Sequence, residues 1–150
     1  MAPAPQKFRE IVFQLLYSSD FEASQDEDIG AFMMGEFALS NTSIRRAQER
    51  KDCVVKRLEE IDVLIGQTSS SYSFDRIPWI ERTILRLGIF ELMFDETIHP
   101  KIAIAEAIRL ARKYATPEGG TFVNAVLDTL YQKSLKIHET DSVPVIQATF

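Results

Sequence analysis

Residues 98–131, IHPKIAIAEAIRLARKYATPEGGTFVNAVLDTLY, restrict this chain to a helical fold more firmly than any other stretch. Pro100 suits the first turn of a helix, where its missing N–H leaves no bond unmade. Ile104, Ala107, Ile108, Ala111 and Tyr114 then recur at helical spacing, while Arg109, Arg112 and Lys113 occupy the opposite side. Thr116-Pro117-Glu118-Gly119-Gly120 predicts a break. Phe122, Val123, Val126, Leu127 and Leu130 open a second apolar stripe beyond it. Two amphipathic helices in succession must find partners for their apolar faces, and the rest of the chain offers only more helices.

Phe8, Ile11, Val12, Leu15 and Leu16 predict a first helix over about residues 6–18. Ser24-Gln25-Asp26 leads toward a second, with Ile29, Phe32, Met33 and Phe37 as its buried side. Ser40 to Ser43 supply N-cap candidates for a third helix, read as one element whose second half, Val54, Val55, Leu58, Ile61 and Ile65, faces the core. After a loop at 67–71, Pro78 starts a helix carrying Ile80, Ile84, Leu87, Phe90, Leu92 and Phe94. Gly88 inside it signals either close approach of a neighbouring backbone or simple tolerance. Residues 135–150 lose periodicity and carry Pro144, so they are expected to form a disordered tail after a domain spanning 1–134. Strand-period alternation is absent, and the expected class is all-α.

At 150 residues the chain suits one domain with a real core. Its lone cysteine, Cys53, excludes an internal disulfide and a multi-cysteine metal site, and a cytoplasmic location is the default. No apolar run reaches membrane-spanning length, and MAPAPQKFRE lacks the apolar core of a signal peptide. A net charge of −5 argues against bulk affinity for nucleic acid but leaves room for a local basic patch. The acidic run Asp20, Glu22, Asp26, Glu27, Asp28 and the basic run Arg45, Arg46, Arg50, Lys51, Lys56, Arg57 each read as solvated faces.

Catalytic signals are nearly empty: no phosphate-binding loop, no dinucleotide fingerprint and no nucleophile elbow occurs. His99 reads as a turn residue, and neither His99 nor His138 has a second ligand at metal spacing. No metal and no cofactor is expected. Gly119-Gly120 reads as a flexible turn between helices, with an anion-binding turn as the alternative. Arg9 and Tyr17, about two turns apart, are expected to lie near one another on the less apolar side of the first helix. Aromatic faces beside cations can stack unpaired bases.

Three blocks in order carry a resemblance. Arg9-Glu10…Gln14-Leu15-Leu16-Tyr17, FDRIPWIERTILRLGIFEL at 74–92, and Ala103-Ile104-Ala105-Glu106-Ala107 with Phe122-Val123-Asn124-Ala125-Val126-Leu127-Asp128 are similar to the NusB family of bacterial transcription antitermination factors. The resemblance implies about six to seven helices in two packed subdomains and a non-catalytic role. It implies binding of boxA-type single-stranded nascent RNA with a small-subunit ribosomal protein, NusE, helping RNA polymerase read through ribosomal RNA operons. Carried over residue by residue, it points to Lys7, Arg9, Tyr17, Phe122 and Asn124 for RNA, with Lys101, Lys113 and Glu118 in neighbouring segments. Arg76, Glu81 and Glu91 fall where the partner protein is expected. For Phe122 both base stacking and core packing stay open.

The chain also departs from the pattern. The family's arginine-rich opening is reduced to Lys7 and Arg9, Ala105 and Ala125 replace the usual Asn and Gly, and Tyr72 stands for a frequent Trp. Fewer cations imply weaker RNA binding and a shallower salt dependence. Two other readings are a self-associating helical module whose homodimer face covers this surface, and a domain akin to those preceding RNA cytosine methyltransferase modules. The second conflicts with the absence of a strand-rich half or a cofactor glycine motif.

Overall fold

Helix α1, Pro5–Ser19, turns Ile11, Val12, Leu15 and Leu16 inward, as its spacing predicts; Phe13, outside the predicted set, is buried with them, and Phe8 is half-buried against the core. In the computed structural model, residues 3–19, 40–70 and 72–148 are described, with side chains to 137. The expected second helix and the acidic run at 20–28 lie outside them.

The region read as one third helix is two. Helix α2, Asn41–Lys56, opens on Ser40, whose hydroxyl accepts the Ser43 N–H at 3.2 Å. At Arg57 the backbone leaves helical geometry, with φ −101° and ψ 8°, and α3 runs from Leu58 to Thr68. No proline or glycine marks this break. The guanidinium of Arg57 instead lies 4.9 Å from the Phe94 ring centroid, a tertiary contact that local sequence does not announce. Val54 and Ile61 are buried whereas Val55, also expected to face the core, is exposed.

After a 3₁₀ turn at Phe74–Arg76, α4 runs from Trp79 to Ile89 and passes into a π-helical turn, Phe90–Phe94, where a continuous α-helix was expected. Such turns shift the register of the side chains that follow, and here the turn carries the buried Glu91. Helix α5, Pro100–Tyr114, begins with Pro100, and His99 Nδ1 accepts the Lys101 N–H at 3.1 Å. Helix α6 spans Pro117–Ala148. It starts earlier than predicted, so Gly119 and Gly120 sit in its first turns instead of forming a flexible link. Thr116 Oγ1 accepts the Gly119 N–H at 3.1 Å, and the Thr116 carbonyl accepts the Gly120 N–H at 3.0 Å. The backbone remains helical to Ala148, through the segment read as a tail.

Helices α1 and α2 pack together as one unit; α4, α5 and α6 form the other, and α4 touches both. One continuous core joins them through Ile11, Leu15, Ile61, Ile84, Leu110 and Leu127. Gly88 explains the tight crossing at its centre. A Cβ there would stand 3.2 Å from Leu127 Cδ1 and 3.3 Å from Ala107 Cβ. No strand occurs among the described residues, and none of their helices is long and apolar enough to cross a membrane.

Candidate functional site

A row of alternating charges ties α1 to α5. Arg9 Nε donates to Glu91 Oε1 at 2.6 Å, and its Nη1 lies 3.5 Å from Glu106. Arg109 Nε donates to Glu106 at 2.5 Å and its Nη1 to Glu10 at 2.8 Å. Lys113 Nζ closes the row on Glu10 at 3.0 Å. Paired cations hold the Glu10 and Glu106 carboxyls below their ordinary range against the opposing effect of burial. Glu91 goes the other way. Burial raises it, and Arg9 and the nearby Arg50 offset that rise only in part. Arg50 itself is paired with Asp95.

Arg9 therefore faces inward, with only 11% of its side chain exposed. The sequence reading placed it beside Tyr17, but eight residues at about 100° each leave the two about 80° apart around the helix. Lys7, Glu10, Gln14 and Tyr17 share a different ridge of the helix, on which Glu10 and Gln14 meet side chains of α5. Gln14 Nε2 donates to the Tyr114 hydroxyl at 3.3 Å. Phe13 stacks between Tyr17 and Tyr114, at centroid distances of 6.2 and 4.9 Å.

Beyond Tyr114 the ridge opens into a cleft of about 410 Å³ lined by Ile108, Arg112, Thr116, Gly120, Thr121 and Asn124. Arg112 and Asn124 converge there from the end of α5 and the start of α6. Arg112 is exposed and has no side-chain partner among the described residues, and no carboxylate lines the cleft. Its position in the last turn of α5 also suits a cation. Arg112 lines this cleft but is not among the residues to which the family resemblance points. Its signal was the polar side of α5, which groups it with Arg109 and Lys113.

Other expected residues scatter. Phe122 is two residues from Asn124, hence on the far side of α6; it packs on the core and meets Tyr72 edge-on at 5.2 Å. Lys101 is exposed at the opposite end of α5, about 18 Å along the axis from Lys113. Glu118 is exposed in the first turn of α6, where a carboxylate favours the helix. Lys7 is exposed on α1.

Of the residues expected to meet a protein partner, Arg76 is exposed, whereas Glu91 is buried against Arg9. Glu81 lines a second cleft of about 590 Å³ with Tyr17, Trp79, Ile80, Tyr114 and Thr116. Trp79 is 46% exposed at its rim. The Glu81 carboxylate is buried, its Oε2 has no hydrogen-bond partner, and desolvation raises its pKa. Gly119 makes room for it: a Cβ at that position would fall 2.1 Å from Glu81 Oε1. The need for glycine here is thus close approach and not backbone conformation.

The NusB family model matches residues 6–132. The chain is 33% identical over 129 residues to the transcription antitermination protein NusB of Chlamydia pneumoniae, covering 86% of this chain and 81% of that protein. Its fold is similar to that of T. maritima NusB, with a TM-score of 0.73, 28% identity, and coverage of 88% and 93% of the two chains. A chain in a crystal structure of antitermination factors NusB and NusE in complex with dsRNA gives a TM-score of 0.72 at 30% identity, with 85% and 96% covered.

Proposed function

The chain belongs to the NusB family, and on that premise we propose that it is a cytoplasmic, non-catalytic RNA-binding factor of transcription antitermination. In this reading it engages boxA-type single-stranded nascent RNA together with NusE. The complex acts on RNA polymerase to promote read-through of ribosomal RNA operons.

The observation that carries the reading is the convergence of Arg112 and Asn124 in one cleft, which shares Ala115 and Thr116 with the neighbouring cleft of Tyr17 and Tyr114. A guanidinium meets phosphate, a carboxamide meets a base edge, and aromatic faces accept stacked bases. The similarity to a chain from a structure of NusB and NusE in complex with dsRNA supports RNA and NusE as kinds of partner. The second cleft, with Trp79 and Glu81, lies against the first through Ala115 and Thr116, which line both. A protein seated there would border the RNA, which suits joint binding.

Substituting Arg112→Ala is expected to weaken binding to boxA-containing and scrambled strands alike. The slope of log K against log salt should fall by about 0.7, one phosphate contact on a single strand. An unchanged slope in a salt titration would remove Arg112, and with it this cleft, from the RNA surface.

A further inference from the structure

The outward end of the charge row has a geometry beyond that of a clamp. Both Arg109 Nη1 and Lys113 Nζ converge on a single oxygen, Glu10 Oε1, at 2.8 and 3.0 Å. Those are the distances at which guanidinium and ammonium groups hold a phosphate oxygen. Lys113 reaches that point from solvent, with 54% of its side chain exposed. We infer that Glu10 occupies the place of an RNA phosphate between Arg109 and Lys113, and so limits the sequence-independent part of RNA affinity.

Charge balance supports this. Arg9, Arg109 and Lys113 face Glu91, Glu106 and Glu10, so the row is neutral as a whole. Each carboxylate comes from the chain itself and is fixed by packing, and a fixed intramolecular anion outcompetes a phosphate that must be brought from solution. The lowered pKa of Glu10 and the raised pKa of Lys113 have the directions expected for a pair that stays charged. Arg112, one residue from Lys113, is left as the cation of that turn without an internal partner among the described residues. In a chain of net charge −5, such masking keeps the surface from holding RNA on phosphate attraction alone.

The inference rests on the RNA-binding reading above, and one experiment separates the two. Fluorescence anisotropy is recorded with the full chain plus NusE, on a boxA single strand and a scrambled strand of equal composition, across a salt titration. Glu10→Gln keeps an acceptor oxygen for one cation and removes the charge. It is expected to bind both strands roughly three- to ten-fold more tightly at about 0.1 M salt, with a slope steeper by about 0.7 to 1.4. The gain should be equal on both strands, because phosphate contacts carry no sequence information. Lys113→Ala, at an exposed position, should cost less than two-fold in the wild-type background but cancel much of the gain in Glu10→Gln. Unchanged affinity and slope in Glu10→Gln would make Glu10 a clamp only. A loss in the single Lys113→Ala variant as large as that in Arg112→Ala would show Lys113 already open to RNA, and would equally overturn the inference. Absence of boxA preference in the wild type would count against the functional reading alone, since the scrambled strand still reports the Glu10 effect.

Discussion

Replacing Arg9 by alanine is expected to lower stability by about 3–5 kcal/mol, the cost of leaving a buried charge without its partner. In a domain of this size that is a fall in Tm of about 10 °C. The charge left behind is Glu91, whose side chain is 5% exposed on the π-helical turn. Its neighbours are Arg50, already committed to Asp95, and Asp95 itself, which pushes its pKa further up. Burial already raises Glu91 above its ordinary value of 4.5 in the intact protein, and loss of Arg9 raises it again.

The sign of the pH dependence follows. A carboxyl whose folded pKa lies above its unfolded value has its full stabilising contribution below the unfolded pKa, and that contribution is lost as pH rises through the folded value. The deficit of Arg9→Ala relative to wild type should therefore be largest at neutral pH and narrow as pH falls toward the ordinary glutamate range. Glu106 partly opposes this trend, because Arg9 also helps to lower its pKa. Adding Glu91→Gln to Arg9→Ala should recover much of the loss at neutral pH. Thermal melts of the two variants at several pH values check this. A variant with wild-type Tm and reduced RNA affinity would return Arg9 to the RNA surface.

Leu127→Ala is expected to cost about 2–5 kcal/mol, since the side chain is fully buried and its removal leaves a cavity over a glycine that cannot fill it. The position opposite makes the prediction sharper. Gly88→Ala alone gains about 1 kcal/mol of helix propensity but presses a methyl to 3.2 Å from Leu127 Cδ1, so the two effects nearly cancel. With Leu127 shortened the contact disappears, and Gly88→Ala should then stabilise by up to about 1 kcal/mol. Denaturant unfolding of the four proteins gives the coupling directly. Strict additivity would mean that α4 and α6 do not meet closely at this point.

The helical class, the faces of α1 and α5, and the cap at Pro100 were legible because each depends on spacing within one element. What failed to show was set by contacts between elements. No proline or glycine announces the break at Arg57, whose guanidinium lies over Phe94, far along the chain. Gly119-Gly120 looks like a flexible link until Glu81 is seen filling the space beside Gly119. Arg9 and Tyr17 are the clearest case. Counting turns puts them on one side, but the 80° between them is enough to send one to a buried carboxylate and the other to the aromatic ridge. Phe122 and Asn124 part for the same reason, one to Tyr72 and the core, the other to the cleft with Arg112. Family resemblance pointed to segments; which side chain of each segment faces a cleft and which packs inside is set by contacts between elements.

Anisotropy with a labelled boxA strand decides whether this chain, as proposed, reads boxA-type RNA jointly with NusE. Addition of NusE to the wild-type chain should tighten binding to boxA well beyond binding to a scrambled strand of the same composition. Equal affinity for the two strands in the presence of NusE would contradict the account.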